Sequence, residues 1–421
     1  VKKPSSHPQT RVVITGLGVI TPIGSELDTF WQALLDGKSG VRRITQFDPE
    51  DLPCQIAGEI PDFDPTDHML AKYARRMSRS SQLALVTAKK AMADSELPNP
   101  LPDAERVGVY FGTAIGGLER ADQGMQVLRT RGLSKVNPFI LPSALPNMPA
   151  FYITLEFGAL GPNCTISTAC ATGTQAIGEA VHAIKAGRAD VIITGASEAL
   201  IQDFAIAGFS TMRALPTSFN HDPERASRPF DAQREGFVLS EGAACMILES
   251  LEHAQARNAH IYAEISGYAS SSDAFHIAAP DPSARGAIRT MRWALDDAGI
   301  SPNQVTYINA HGTSTPANDA VETLAIKRLF GDLAYQIPIS STKSMIGHAM
   351  GASGAIEAAV CALSIERGAI HPTINYEYPD PELDLDYVPN HSRELPVEYA
   401  LSNSFGLGGQ NACLLINRLE L

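Results

Sequence analysis

The chain lacks several features that would narrow its function quickly. Its 421 residues contain no uninterrupted apolar run of about 18 residues, the length a membrane-crossing helix needs, so no membrane span is expected. Its six cysteines, at positions 54, 164, 170, 245, 361 and 413, form no Cys-x-x-Cys pair. That spacing argues against a disulfide framework or a structural zinc site, and fits a reducing compartment in which most thiols are small apolar fillers. Neither Gly-x-Gly-x-x-Gly nor the phosphate-loop pattern ending in Gly-Lys-Ser/Thr occurs, so the glycine-rich stretches 16–24 and 402–412 read as turns rather than phosphate cradles. Positive charge is also short. With 33 Lys plus Arg against 46 Asp plus Glu, the net charge of −13 argues against general nucleic-acid binding. Residues 1–10, VKKPSSHPQT, lack the apolar stretch of a secretory signal and read as a loose arm.

What is present is a large supply of core. A hydrophobic content of 44% over this length allows two or three domains, or one duplicated unit. Apolar β-branched runs recur at 11–21, 106–114, 190–196, 305–313, 337–343 and 400–406, with alanine-rich stretches of helical spacing between several of them. Strands that are apolar throughout, alternating with helices, predict sheets covered by helices. In TISTACATGTQAIGEAVHAIKAG (165–187), Ile177, Ala180, Val181 and Ile184 share one helix face and Gly187 is a stop. HAMGASGAIEAAVCALSIERG (348–368) repeats the design: Ile356, Ala359, Val360 and Leu363 share a face and Gly368 ends it. One begins Cys-Ala-x-Gly, the other His-Ala-x-Gly. The match suggests two similar halves dividing near residue 255. Stretches 117–165 and 203–238, rich in Pro, Arg, Ser and Asn, read as ordered excursions bearing surface or substrate contacts.

Cys170 stands where a strand-like run meets a predicted helix. Unpaired amides and the helix dipole at such a junction favour an anion, so the spacing predicts a thiol with lowered pKa, and the small residues Ala171, Thr172 and Gly173 leave its approach open. His311, in NAHGTSTPANDAVE (309–322), follows an apolar strand at a turn, where catalytic groups often sit. His348 opens the second predicted helix, a position that favours a neutral imidazole able to donate a hydrogen bond. Lys343, five residues earlier, lies in an otherwise uncharged segment and is expected to be more than a solvated surface lysine.

STAC (167–170), NAHGTSTPAND (309–319), SSTKSMIGHAMGASGAIEA (340–358) and SNSFGLGGQNA (402–412) together resemble the signature blocks of the β-ketoacyl-acyl-carrier-protein synthases, in order, from about residue 11 to 417. Cysteine with two histidines resembles the elongating type II enzymes; the initiating type III enzymes pair cysteine with histidine and asparagine. The resemblance implies a thiolase-like α/β fold: duplicated βαβαβαββ halves, 11–255 and 256–421, in a five-layered αβαβα sandwich. It also implies a homodimer, with strands just before Cys170 pairing across the interface, and cytoplasmic placement, or an organelle stroma or matrix in a eukaryote. The implied reaction is a decarboxylative Claisen condensation that lengthens a fatty acyl chain by two carbons.

Roles follow from the same resemblance. Cys170 takes the acyl group from a carrier-protein thioester, and the backbone amides of Cys170 and Phe405 form the oxyanion hole. His311 and His348 bind the malonyl thioester oxygen and stabilise the enolate formed as carbon dioxide leaves. Lys343, paired with Glu322, organises the histidines, and Asp319 belongs to the same network. Thr313 and Thr315 hold the 4′-phosphopantetheine arm. Phe405 is the gate. Ile115, Phe209 and Phe230 line the acyl pocket and its entrance. No redox cofactor is required. Some family members hold a monovalent cation, Na+ or K+, near residues matching Asn309, Glu357, Ser402 and Asn403. An acidic carrier protein, in its acyl and malonyl forms, needs a local basic dock on this acidic chain; Lys72, Arg75, Arg76, Arg79, Arg129, Arg131 and Arg213 are the candidates. The chain departs from the family at Ala171, where Ser or Thr is usual, and at Leu407 and Gln410, where Phe and Thr are commoner, which bears on gating and chain-length preference. Alternatives are a polyketide-pathway ketosynthase, a chain-length-setting partner subunit, disfavoured by the presence of Cys170, His311 and His348, and a thiolase, disfavoured by the lack of a second cysteine in 402–412.

Overall fold

The computed structural model describes residues 10–420; residues 1–9 and 421, and with them most of the arm read at the N-terminus, lie outside the described residues. Ten strands form one mixed sheet. In chain order they are β1 (Val12–Ile20), β2 (Val107–Gly112), β3 (Asn163–Cys164), β4 (Val191–Glu198), β5 (Gly242–Ser250), β6 (Ala263–Ser272), β7 (Tyr307–Asn309), β8 (Ile339–Ser340), β9 (Tyr399–Gly406) and β10 (Gln410–Asn417). Their order across the sheet is β8-β7-β9-β10-β6-β1-β5-β4-β2-β3. Read outward from the middle, β1-β5-β4-β2-β3 and β6-β10-β9-β7-β8 are the same list. The pairing sense repeats as well: antiparallel at the two inner joints and parallel at the two outer ones of each half. A short antiparallel contact, Val13 with Glu264 and Ile14 with Ala263, joins the halves.

Helices complete the layers. α1 (Arg79–Asp94) covers β1 and β5 on one outer face, and α3 (Arg285–Ala298), backed by α4 (Pro316–Phe330), covers β6 and β10 on the other. Between them lie α2 (Thr172–Lys185) and α5 (Ser353–Arg367), which touch each other and strands of both halves. This is the αβαβα order. A helix with no solvent side must be apolar or small all round; α5 is nearly so, whereas α2 keeps a polar edge at Glu179 and His182. Every residue of α5 from Ser353 to Ile365 is buried, and α2 presents Ile177, Ala180, Val181 and Ile184 to the core. Gly187 and Gly368 take left-handed φ values of 70° and 63° just past the helix ends.

The six runs read as strands all hold one. Four strands lie outside those runs: the two-residue edge strand β3, and β5, β6 and β10. The last three are built from Gly, Ala, Cys and Ser as much as from β-branched residues, and their burial comes from neighbours on both sides rather than from an alternating pattern. The second helix also differs from expectation. It begins at Ser353, after a 3₁₀ turn at Met350–Ala352, so His348 precedes the helix rather than opening it.

Candidate active site

The starts of α2 and α5 meet at the middle of the molecule. A Cβ on Gly173 would lie 2.5 Å from the Ala355 amide nitrogen, and one on Gly354 would lie 2.1 Å from Thr174 Oγ1. Only glycine permits that approach, and it brings the residues preceding each helix together. Cys170 is held in a tight turn: Ala169 has φ 50°, the Ala171 amide donates to Thr168 O, and the Thr168 amide donates to Thr172 Oγ1 at 2.8 Å. His348 is fixed through its backbone, whose N–H donates to Val238 O at 2.7 Å and whose carbonyl accepts from Ser240.

These constraints set His348 Nε2 3.1 Å from Cys170 Sγ. The His311 ring stands nearly perpendicular to that of His348, centroids 5.4 Å apart, and also lies against the Phe405 ring. One nitrogen of each imidazole and the sulfur fall within 4.8 Å of one another. On its far side, His348 Nδ1 lies 2.9 Å from Ser353 Oγ. A hydroxyl donating there leaves the ring proton on Nε2, facing the sulfur.

Burial dominates the electrostatics. It holds both imidazoles well below the ordinary histidine range, with the Lys343 charge acting in the same direction, so both rings are neutral donors. The thiol departs from the sequence expectation. Burial pushes Cys170 up to about 11, against the opposing pull of the Leu407 amide and the Lys343 charge. The helix start does not outweigh the loss of solvent, and the resting group is a thiol rather than a thiolate.

Lys343 is buried and pairs with Glu357, not with Glu322 as expected. Glu322 instead accepts the backbone amides of His311 and Gly312, both at 2.8 Å, and the Asn403 side-chain amide at 3.2 Å. Asp319 likewise accepts the amides of Phe230 and Thr313. The two acids therefore pin the loop that carries His311. Glu357 follows Lys343 by fourteen positions, and it is the spacing of helix α5 relative to that turn that lets them meet.

A cavity of about 370 Å³ opens onto the sulfur and both imidazoles, with Thr313, Thr315, Phe405 and Arg213 in its lining. Behind Cys170, Ile115 and Phe209 pack into an apolar cluster with Leu200, Ile201 and Met350. Phe230 does not join them. It has φ 66°, is fully buried, and stacks on Tyr387 at 4.0 Å in the core of the C-terminal half. Arg79 is withdrawn from any docking surface too, because its guanidinium makes a two-pronged pair with the buried Glu241 at 2.6 and 2.7 Å. Lys72, Arg75, Arg76, Arg129, Arg131 and Arg213 are exposed.

Of the residues considered for a cation, Asn309 Oδ1, Glu357 Oε2 and Ser402 Oγ are buried without a hydrogen-bond partner among the described residues, a donor set that fits a hard monovalent ion. Asn403 is committed elsewhere, donating to Glu322 and accepting from the Cys413 thiol. Two residues escape the sequence reading, Ser353 and Glu198. The first is inconspicuous in a small-residue run; the second is visible as a lone carboxylate ending an apolar strand, GASE.

A duplicated αβαβα sandwich whose two halves deliver a cysteine and two histidines to one cavity has the architecture of the thiolase-like condensing enzymes. Residues 9–254 match the family described as Beta-ketoacyl synthase, N-terminal domain, and residues 262–377 match Beta-ketoacyl synthase, C-terminal domain. The chain is 48% identical to 3-oxoacyl-(acyl-carrier-protein) synthase 2 of Staphylococcus aureus, over 97% of its own length and 99% of the relative's. It is 49% identical to the protein of that name from Synechocystis, over 97% and 98%. Among solved structures it resembles a β-ketoacyl synthase from Burkholderia phymatum, with TM-score 0.91, 36% identity and coverage of 98% and 100%. It also resembles a ketosynthase complexed with a type II polyketide acyl-carrier protein, with TM-score 0.89, 38% identity and the same coverage. The chain belongs to the β-ketoacyl synthase family.

Proposed function

We propose that this chain is an elongating 3-oxoacyl-acyl-carrier-protein synthase of fatty-acid synthesis, built as a 11–255 half carrying Cys170 and a 256–421 half carrying His311, Lys343 and His348. The observation that carries the reading is the 3.1 Å approach of His348 Nε2 to Cys170 Sγ, with the second neutral imidazole beside it in the same cavity. In the first step the sulfur, its developing negative charge stabilised by the His348 Nε2–H, attacks an acyl-carrier thioester while the thiol proton passes to the departing carrier thiol; the amides of Cys170 and Phe405 receive the oxyanion. Malonyl-carrier protein then enters with its arm along Thr313 and Thr315. Neutral N–H donors on both histidines stabilise the enolate as the carbon–carboxylate bond breaks and carbon dioxide leaves. The enolate carbon attacks the acyl-Cys170 carbonyl; the sulfur departs and regains a proton.

Full-length identity near one half to two named 3-oxoacyl-acyl-carrier-protein synthases favours the fatty-acid reading over a polyketide ketosynthase, whose solved relatives match at lower identity. A homodimer through the edge strand Asn163–Cys164 is supported by the exposed Phe151, Leu155 and Leu160 nearby in sequence. We place the enzyme in the cytoplasm, or in the stroma or matrix of an organelle. A Na+ or K+ ion at Asn309, Glu357 and Ser402 would neutralise their unpaired oxygens, and would raise thermal stability in K+ or Na+ over a bulky organic cation. The carrier docks on Lys72, Arg75, Arg76, Arg129, Arg131 and Arg213. Converting Arg75 and Arg76 to Glu raises KM for carrier-bound substrate and spares an acyl-CoA surrogate; equal loss with both removes the dock.

Intact-protein mass spectrometry after exposure to a ladder of acyl-carrier proteins, followed by malonyl-carrier protein, tests the function. The expected result is an acyl adduct on Cys170 that is discharged with release of carbon dioxide. No adduct at any chain length, or adduct formation without decarboxylation, overturns it.

A further inference from the structure

One buried carboxylate beside the site has no part in the chemistry above. Glu198 ends β4 with no exposed surface. Its Oε1 accepts the Thr113 hydroxyl at 3.0 Å; its Oε2 accepts the amides of Ala114 at 2.8 Å and Gly351 at 3.2 Å. The nearby Ile115 amide also favours its ionised form. All these partners are uncharged. Burial raises the carboxyl to about 7, and among the described residues no cation lies against it as Lys343 lies against Glu357.

The donors come from two separate walls. Thr113 and Ala114 belong to the segment after β2, whose next residue, Ile115, lies against the apolar cluster behind Cys170. Gly351 belongs to the turn after His348, which places Met350, at φ 44°, in the same cluster. The fit is close on both sides: a Cβ on Gly351 would lie 2.6 Å from the Ala114 nitrogen and 2.8 Å from Glu198 Oε2. The other half of the molecule uses the same device. Glu322 accepts two consecutive amides after β7, of His311 and Gly312, and so fixes His311. Glu198 accepts the Thr113 hydroxyl and the Ala114 amide after the equivalent strand β2, where the side chain that follows is Ile115.

We propose that Glu198 is a specificity-determining residue that sets the depth of the acyl pocket, by clamping the Ile115 segment to the Met350 turn. The inference rests on the ketosynthase reading, and deepens it. In Glu198→Gln one acceptor oxygen becomes an NH2 group, the volume is kept, and one side of the clamp loosens. Two apolar walls that move apart admit more methylenes, each a small increment of binding in an apolar pocket.

The test is acyl transfer to Cys170 from carrier proteins bearing chains from butyryl to hexadecanoyl, in wild type and Glu198→Gln. The expected result is a rise of about tenfold in the long-to-short ratio of kcat/KM, with short-chain transfer within about twofold of wild type. Thr113→Val, which removes one donor and keeps the carboxylate, moves the ratio the same way by about threefold and serves if the first variant does not fold. A uniform change at every chain length, or no change in ratio, overturns the clamp. Wild-type protein that acylates normally beside variants with unaltered ratios defeats only this inference, whereas wild type that never acylates defeats the ketosynthase reading beneath it.

Discussion

Cys170-Ala-Thr-Gly173 and His348-Ala-Met-Gly351 occupy corresponding places in the two halves, each between a short edge strand and a middle-layer helix. One supplies a thiol and the other an imidazole, and the two groups are within hydrogen-bond reach. In a duplicated fold, equivalent positions near the axis relating the halves necessarily face one another. Divergence at such a pair yields two different reactive groups at contact distance without any new loop. The difference between the two starts is equally instructive. α2 begins two residues after the cysteine, whereas α5 is delayed by a 3₁₀ turn, and that turn puts Ser353 Oγ on the far nitrogen of His348. The first half presents a nucleophile; the second orients a ring.

The comparison is broken most severely at the sulfur. Cys170→Ala is expected to lower acyl transfer by about ten-thousand-fold, while decarboxylation of malonyl-carrier protein, which needs only the imidazoles, persists. Single-turnover assays of the two half-reactions separate them; parallel loss of both would mean that thiol and imidazoles do not act on different steps. Truncating the rings comes next. Removing one donor from a developing oxyanion typically costs about 10²–10³-fold, so His311→Ala and His348→Ala each slow decarboxylation by that order. Only His348→Ala should also slow acylation of Cys170, since only His348 contacts the sulfur. Identical profiles for the two variants would erase the distinction.

The titration of the two groups sharpens the contrast. Burial raises the thiol to about 11 and lowers both imidazoles, so at pH 7 each is uncharged. Below its pKa, the thiolate fraction grows about tenfold with each pH unit, so iodoacetamide labelling of Cys170 should climb from pH 7 to 9 at about that rate. A plateau beginning near neutral pH would instead show the helix start prevailing over burial.

Much of this is legible in the chain. The faces of α2 and α5, their glycine stops and the internal likeness of 165–187 and 348–368 are periodic features, and the buried lysine stands out in an uncharged segment. The rest depends on folding. Whether Lys343 reaches Glu322 or Glu357 is decided by how α5 leaves its turn, and both acids lie a plausible distance along the sequence. The thiol's ionisation cannot be read from its junction, because sequence shows the helix dipole but not the depth at which the sulfur lies. Phe230 reads as a pocket aromatic, but its left-handed backbone turns the ring onto Tyr387. Arg79 looks like one of a basic cluster, yet its partner Glu241 is 162 positions away.

The smallest effect concerns what holds the two starts together. Gly173→Ala would place a methyl 2.5 Å from the Ala355 amide nitrogen and 3.0 Å from Gly351 O, both backbone atoms that cannot rotate aside. The helices must separate, at a cost of about 1–3 kcal/mol for overpacking. Gly354→Ala meets the Thr174 side chain and amide from the opposite side and should behave alike. Gly208 is the control: it lies in the helix Asp203–Thr211, and a Cβ there would have nothing within 4 Å, so Gly208→Ala should stabilise by about 0.5–1 kcal/mol through helix propensity. Denaturant unfolding of the three variants reads the contrast directly. If Gly173→Ala proved as benign as Gly208→Ala, close packing of the two helix starts could not be what sets the sulfur against the imidazole.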